Sequence, residues 1–128
     1  MREPTVSYLP RIRSAADVYR EFSSLTSLDR EVFIALMLDQ KHRVVGLHVV
    51  SVGTLSGTIV HPREVLKADI LTNSAALIVL HNHPSGDPQP SPDDHEVTAR
   101  LQSAGETMGV PLLDHVVVAA DGFYSFAE

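Results

Sequence analysis

The apolar run Ala75-Ala76-Leu77-Ile78-Val79-Leu80 stops abruptly at His81-Asn82-His83-Pro84-Ser85-Gly86-Asp87-Pro88-Gln89-Pro90-Ser91-Pro92-Asp93-Asp94, and this junction constrains the chain more than any other segment. Six apolar residues without a polar break read as a strand buried on both faces, so its sheet needs a layer on either side. Directly beyond the strand, two imidazoles, a hydroxyl and a carboxylate gather around a proline-stiffened loop. His, His and Asp at the end of a buried strand are the parts of a three-ligand catalytic zinc site, with the fourth position left to water.

The rest of the pattern alternates between helix and strand. Ser14 or Asp17 can cap a helix over residues 14–26, and residues 31–38 read as a buried strand. Residues 44–52, rich in β-branched side chains, form a second strand after a turn. Pro62 suits the first position of a helix that starts after His61 and runs to about Asn73. A longer helix opens at Ser91-Pro92-Asp93-Asp94, turns Val97, Leu101, Ala104 and Met108 inward, and ends at Gly109. Residues 112–119, the turn Asp121-Gly122 and residues 123–126 supply a terminal hairpin. The predicted class is α/β: three layers, with a mixed sheet flanked by helices. Residues 1–13, with Pro4 and Pro10, read as an extended arm, and residues 14–128 as one domain.

Composition narrows the chemistry. The chain has no cysteine, which excludes disulfides, thiolate nucleophiles and sulfur-ligated zinc together. Any metal must be held by His and carboxylate. The net charge of −6 is unevenly spread, because residues 68–128 carry Arg100 as their one basic group against nine acids. A polyanion gains affinity from Lys and Arg, so nucleic acid is a poor ligand for that half, whereas a cation or a polypeptide suits it. No apolar stretch approaches the roughly 20 residues of a membrane helix, and the start lacks a signal-peptide core. The expected location is the cytoplasm.

In extended backbone, residues two apart point the same way, so His81 and His83 face one direction and Asn82 the other. His-x-His alone is a weak signal. Gly86 is placed to supply a positive φ, and the prolines let the following helix bring Asp94 beside the histidines as third ligand. Ser91 and Asp94, three residues apart with Pro92 between them, equally resemble a helix capping box, and the two roles are compatible. Ser91 is also a candidate donor to a developing oxyanion. Zinc in such a site lowers the pKa of its water to about 7, and the chemistry then needs a base. Asp114-His115 either orients a ligand or satisfies buried polar groups. His48 and His61 flank core segments as structural or surface groups, and His42 and His95 read as solvated.

His81-x-His83-Pro84, six residues, Ser91, two residues and Asp94 resembles the complete motif of the JAMM (MPN-plus) metalloproteases. From about Leu28 onward, the text around His61-Pro62-Arg63-Glu64, His81-Asn82-His83-Pro84-Ser85-Gly86 and Leu113-Asp114-His115 more closely resembles the JAMM-type (JAB) domain of bacterial RadC-like proteins. The resemblance implies a zinc-dependent isopeptidase-type fold, related in architecture to the cytidine deaminases, with one zinc ion per chain on His81, His83 and Asp94. It also implies a catalytic glutamate near the start of an upstream strand. Glu31 occupies the matching place as general base, with Glu64 as the alternative. Longer members resemble a helix-hairpin-helix module joined to this domain, for which the first 27 residues are too short.

The leading expectation is a zinc metallohydrolase acting on a peptide or isopeptide bond of a polypeptide substrate or protein modifier. A catalytically weak MPN-type binding module and a DNA-repair-associated role, suggested by the family's label, are the alternatives. His81-Asn82-His83 ends a strand and lacks the ββα context of HNH nucleases. Zinc nucleoside deamination is excluded because its Pro-Cys-x-x-Cys ligands are missing.

Overall fold

The computed structural model describes residues 10–53 and 60–128. In chain order these form α1 (Ala15–Glu21), a 3₁₀ segment (Ser23–Ser27), β1 (Glu31–Leu38), β2 (Val44–Gly53), α2 (Pro62–Thr72), β3 (Ala76–Asn82), α3 (Pro92–Met108), β4 (Leu112–Ala119) and β5 (Gly122–Ser125). The five strands make one sheet in the order β2-β1-β3-β4-β5. Only β3 and β4 run parallel, joined by the crossover through α3, while β1 is antiparallel to both β2 and β3 and β5 is antiparallel to β4. The sheet is mixed, as the alternation of elements predicts.

Both faces of the sheet are covered. Ile34, Leu36, Ile78, Leu80, Val116 and Val118 pack with Ala15 and Val18 of α1. Phe33, Ala35, Leu77 and Val79 pack on the other face against Val65 and Leu66 of α2 and Val97 and Leu101 of α3. Strand β3 lies between β1 and β4 and is buried along its whole length, which is why its sequence is continuously apolar until the site begins.

Several boundaries depart from expectation. The first helix stops at Glu21 and continues as 3₁₀ rather than α-helix to residue 26. The Ser23, Thr26 and Ser27 hydroxyls each donate to a carbonyl three residues back, a local pattern that competes with regular helix. Ser14 sits at the N-cap without a side-chain bond, and Asp17 instead accepts from the Arg13 amide at 2.7 Å. Strand β3 extends to Asn82, two residues past the apolar run, because β4 keeps pairing with it through Asn82↔Val118. In α3 the inward residues are Asp94, Val97, Thr98, Leu101 and Gly105, with Ala104 at the core margin, whereas Met108 is 52% exposed. Of the expected arm, residues 1–9 lie outside the described residues. Pro10 and Ile12 are tied to the β2 entrance through Val44 N–H to Pro10 O (2.8 Å) and Ile12 N–H to His42 O (2.9 Å).

Candidate metal centre

The alternation of β3 decides which way its last residues face. His81 continues the Leu77 and Val79 row toward α3, and Asn82 continues the Ala76, Ile78 and Leu80 row toward α1. Both side chains are fully buried. The loop that follows folds back at Gly86, whose φ of 92° places it in the region that favours glycine. Gly86 N–H donates to His83 O (3.1 Å) and Gly86 O accepts from Asp121 N–H (3.0 Å), tying the loop to the β4–β5 turn.

The loop delivers the chain into α3 through a capping box. Ser91 Oγ accepts from Asp94 N–H (3.1 Å), and Asp94 Oδ2 accepts from Ser91 N–H (2.8 Å). The same carboxylate meets both histidines: Oδ1 lies 3.2 Å from His81 Nε2 and Oδ2 lies 3.1 Å from His83 Nε2. The two Nε2 atoms are 3.1 Å apart. Capping and ligation therefore do not compete. The cap bond fixes the carboxylate beside the two histidines, where it could serve as a ligand.

The surrounding bonds assign the protons. Thr98 Oγ1 donates to Asp94 O (2.8 Å), and a carbonyl can only accept, so toward His115 Nδ1 at 2.6 Å the hydroxyl is the acceptor. His115 is fully buried, and desolvation holds its pKa well below the ordinary histidine value. It is neutral, with its proton on Nδ1. Its bare Nε2 then accepts from His81 Nδ1 at 2.9 Å. His83 Nδ1 likewise donates to Asp87 O (2.9 Å). With each Nδ1 spent as a donor, His81 and His83 turn their Nε2 atoms toward each other and toward a carboxylate. Such a cluster suits a shared cation, and His81, His83 and Asp94 could hold a metal ion.

Electrostatics favour an ionised carboxylate at this position. Burial works to raise the Asp94 pKa, but its bonds with His81 and His83 outweigh it and hold the carboxyl well below the usual carboxylate range. The His83 pKa is raised, first by its bond to the Asp94 carboxylate, against an opposing effect of burial, then by the Asp87 carbonyl and the charges of Asp94 and Glu31. In the absence of an ion, a proton satisfies the same lone pair.

The centre opens into a cleft of about 320 Å³ lined by Glu31, His83, Pro84, Ser85, Asp87, Gln89, Ser91 and Asp94. Glu31, the first residue of β1, therefore shares the cleft with two of the three candidate ligands and with Ser91. The Ser91 hydroxyl accepts its cap bond through a lone pair and keeps its hydrogen for another acceptor. Glu64, the alternative base, pairs with Lys67 at 3.0 Å on α2 and does not line this cleft.

Asp114 and His115 separate in function. Asp114 turns from the centre and accepts from Ser125 Oγ (2.5 Å), Ala127 N–H (3.0 Å) and its neighbour's amide, pinning the C-terminal tail. His115 backs His81. Thr98 and Asn82 escaped the sequence reading as contributors, although each interrupts an apolar row, Thr98 on the inward face of α3 and Asn82 on the α1 side of β3.

Comparison with known proteins completes the site. The chain is similar to UPF0758 proteins of Thermotoga maritima (42% identity over 118 residues, 92% of this chain and 53% of that one) and Trichlorobacter lovleyi (45% over 121 residues, 94% and 53%). It is also similar to one from Desulforudis audaxviator (54% over 97 residues, 76% and 42%). The chain spans about half the length of these curated relatives. Residues 12–128 match the family model of the RadC-like JAB domain, and with a mixed α/β sheet carrying a His-His-Asp cluster at the end of β3, the chain belongs to that family.

Proposed function

We propose that this domain is a zinc-dependent hydrolase of peptide or isopeptide bonds in a polypeptide or protein modifier. The observation that carries the reading is the convergence of the His81 and His83 Nε2 atoms on the Asp94 carboxylate, at 3.1–3.2 Å, beside a cleft that also contains Glu31 and Ser91. Two imidazoles and one carboxylate are the donor set of a zinc hydrolase, and they leave a coordination position open. When bound, the ion supplies Lewis acidity that activates water and polarises a carbonyl.

The chain's own groups supply the rest. Glu31 takes the proton of the attacking water and returns it to the leaving amine. Ser91 donates its free hydroxyl hydrogen to the carbonyl oxygen as negative charge develops there. His115 and the Asp87 carbonyl hold the two imidazoles in the tautomer that leaves Nε2 bare. Glu31, Asp87 and Asp94 make the cleft acidic, which disfavours nucleic acid as substrate and suits a polypeptide.

The test combines metal content with turnover. The expected result is one zinc per chain, lost in the double variant His81→Ala/His83→Ala, and hydrolysis of a peptide or isopeptide panel that falls about 10²–10⁴-fold in Glu31→Gln. Full zinc occupancy in the double variant, or unchanged turnover in Glu31→Gln, refutes the assignment. Stoichiometric zinc with no turnover of any panel member leaves a metal-holding binding module.

A further inference from the structure

We propose that Asn82 is a positioning residue that holds Glu31 at the cleft, an inference that rests on the reading of Glu31 as the base. The paired register of β1 and β3 ends at Phe33↔His81, two residues short of Glu31. Beyond that point the Asn82 side chain takes over. Its Oδ1 accepts from Val32 N–H at 2.7 Å, and its Nδ2 donates to Arg30 O at 2.9 Å. These two bonds grip the backbone on either side of Glu31. A third, from Nδ2 to Leu25 O at 3.1 Å, fastens the same amide to the 3₁₀ segment that leads into β1.

The amide works as a detached peptide group. It offers an acceptor to Val32 and donors to Arg30 and Leu25, so the β3-facing edge of the strand entrance is held where pairing with β3 has ended, while β2 pairs with the opposite edge through Glu31↔Gly53. Past His81 the backbone of β3 stays with β4, His83 N–H donating to Val118 O at 2.9 Å. Asn82 is fully buried, so water does not compete for these bonds. The arrangement also sets the base relative to the candidate ligands. Asn82 stands between His81 and His83 in sequence, so one tripeptide presents two imidazoles on one side and fixes the backbone of Glu31 on the other.

Other side chains do not reproduce the pattern. Aspartate lacks the donors for Leu25 O and Arg30 O, leucine lacks every polar atom, and glutamine is longer by a methylene. A misplacement of about 1 Å in a reacting group can cost about a hundredfold in rate. The expected consequence of losing Asn82 is therefore a base that remains in β1, still paired with β2, but is no longer fixed from the β3 side.

The test compares Asn82→Ala with the wild type, with Glu31→Gln and with the double variant Asn82→Ala/Glu31→Gln, all as zinc-loaded protein. The expected result is a fall in kcat of about 10–100-fold with KM nearly unchanged, and undiminished zinc stoichiometry. In the Glu31→Gln background the same change should cost almost nothing, since there is no base left to place. An equal fall in both backgrounds overturns the proposal, as does the loss of zinc from Asn82→Ala.

A second readout needs no turnover. Amide hydrogen exchange at Val32 should accelerate at least tenfold in Asn82→Ala, while Ile34 and Leu36, paired within the sheet, keep their protection. Unchanged Val32 exchange refutes the grip itself. If the wild type turns over no substrate but Val32 exchange responds, the hydrolase reading fails and the structural grip stands. Should Asn82→Ala not fold, Asn82→Ser, which retains a hydroxyl near Val32 N–H, takes its place in both measurements.

Discussion

Thr98 does its work through one hydrogen. Because its hydroxyl donates to Asp94 O, His115 must donate to Thr98, and His81 must donate to His115. Thr98→Val keeps the shape but removes that direction. It leaves His115 Nδ1 without its partner in a buried site, at a cost of about 1–3 kcal/mol. Zinc affinity is expected to fall about 10–100-fold, the usual effect of losing a group that orients a ligand, as read by competition with a chromophoric chelator. Thr98→Ser keeps the hydroxyl and should bind within a fewfold of wild type. Equal zinc affinity in Thr98→Val would refute the relay. The candidate ligands and Glu31 were legible in the sequence because local spacing and motif resemblance identify them. Their backing was not. His115 reaches His81 only through the parallel pairing of Val79 with His115, a register between segments far apart in sequence.

The elements were legible where local chemistry fixes their ends and less so where packing does. Pro62 at the start of α2, the αL conformation of Asn73 after it, and the Ser91–Asp94 box and Gly109 cap of α3 all act within a turn of the helix end. The 3₁₀ segment and the inward face of α3 depend on neighbours. Gly105 shows this best. A Cβ at Gly105 would lie 2.5 Å from Val110 O, a backbone atom in the segment that leads into β4. Replacing glycine by alanine in a helix gains about 1 kcal/mol from propensity, but forcing backbone apart costs about 1–3 kcal/mol. Gly105→Ala should therefore lower stability by up to about 2 kcal/mol in denaturant unfolding. Gly46→Ala should cost less, because its Cβ would meet the movable Cε of Met37 at 2.6 Å. A Gly105→Ala protein as stable as the wild type would mean that the α3–β4 connection yields easily.

For the whole molecule, β3 separates two buried acidic groups of opposite behaviour. At its far end Asp94 is held ionised, while near its start Asp69 of α2 is fully buried, accepts from Ser74 Oγ at 2.6 Å through Oδ1, and leaves Oδ2 without a partner. Desolvation pushes the Asp69 pKa up to about 6, only partly offset by the Ser74 bond. A carboxyl whose pKa is raised by folding contributes stability while protonated. That contribution is complete below the unfolded pKa near 4 and is lost as pH rises through 6. Asp69→Asn removes the titration. Between about pH 7.5 and pH 4, the wild type should therefore gain about 2–3 kcal/mol relative to Asp69→Asn in urea unfolding. A difference independent of pH would show that Asp69 is ionised within the fold. Because Asp69 and the His-His-Asp cluster share no hydrogen-bonding partner among the described residues, any rise in Tm on adding zinc should be the same in Asp69→Asn as in the wild type. Coupling between the two would mean that α2 and β3 transmit occupancy of the centre along the sheet.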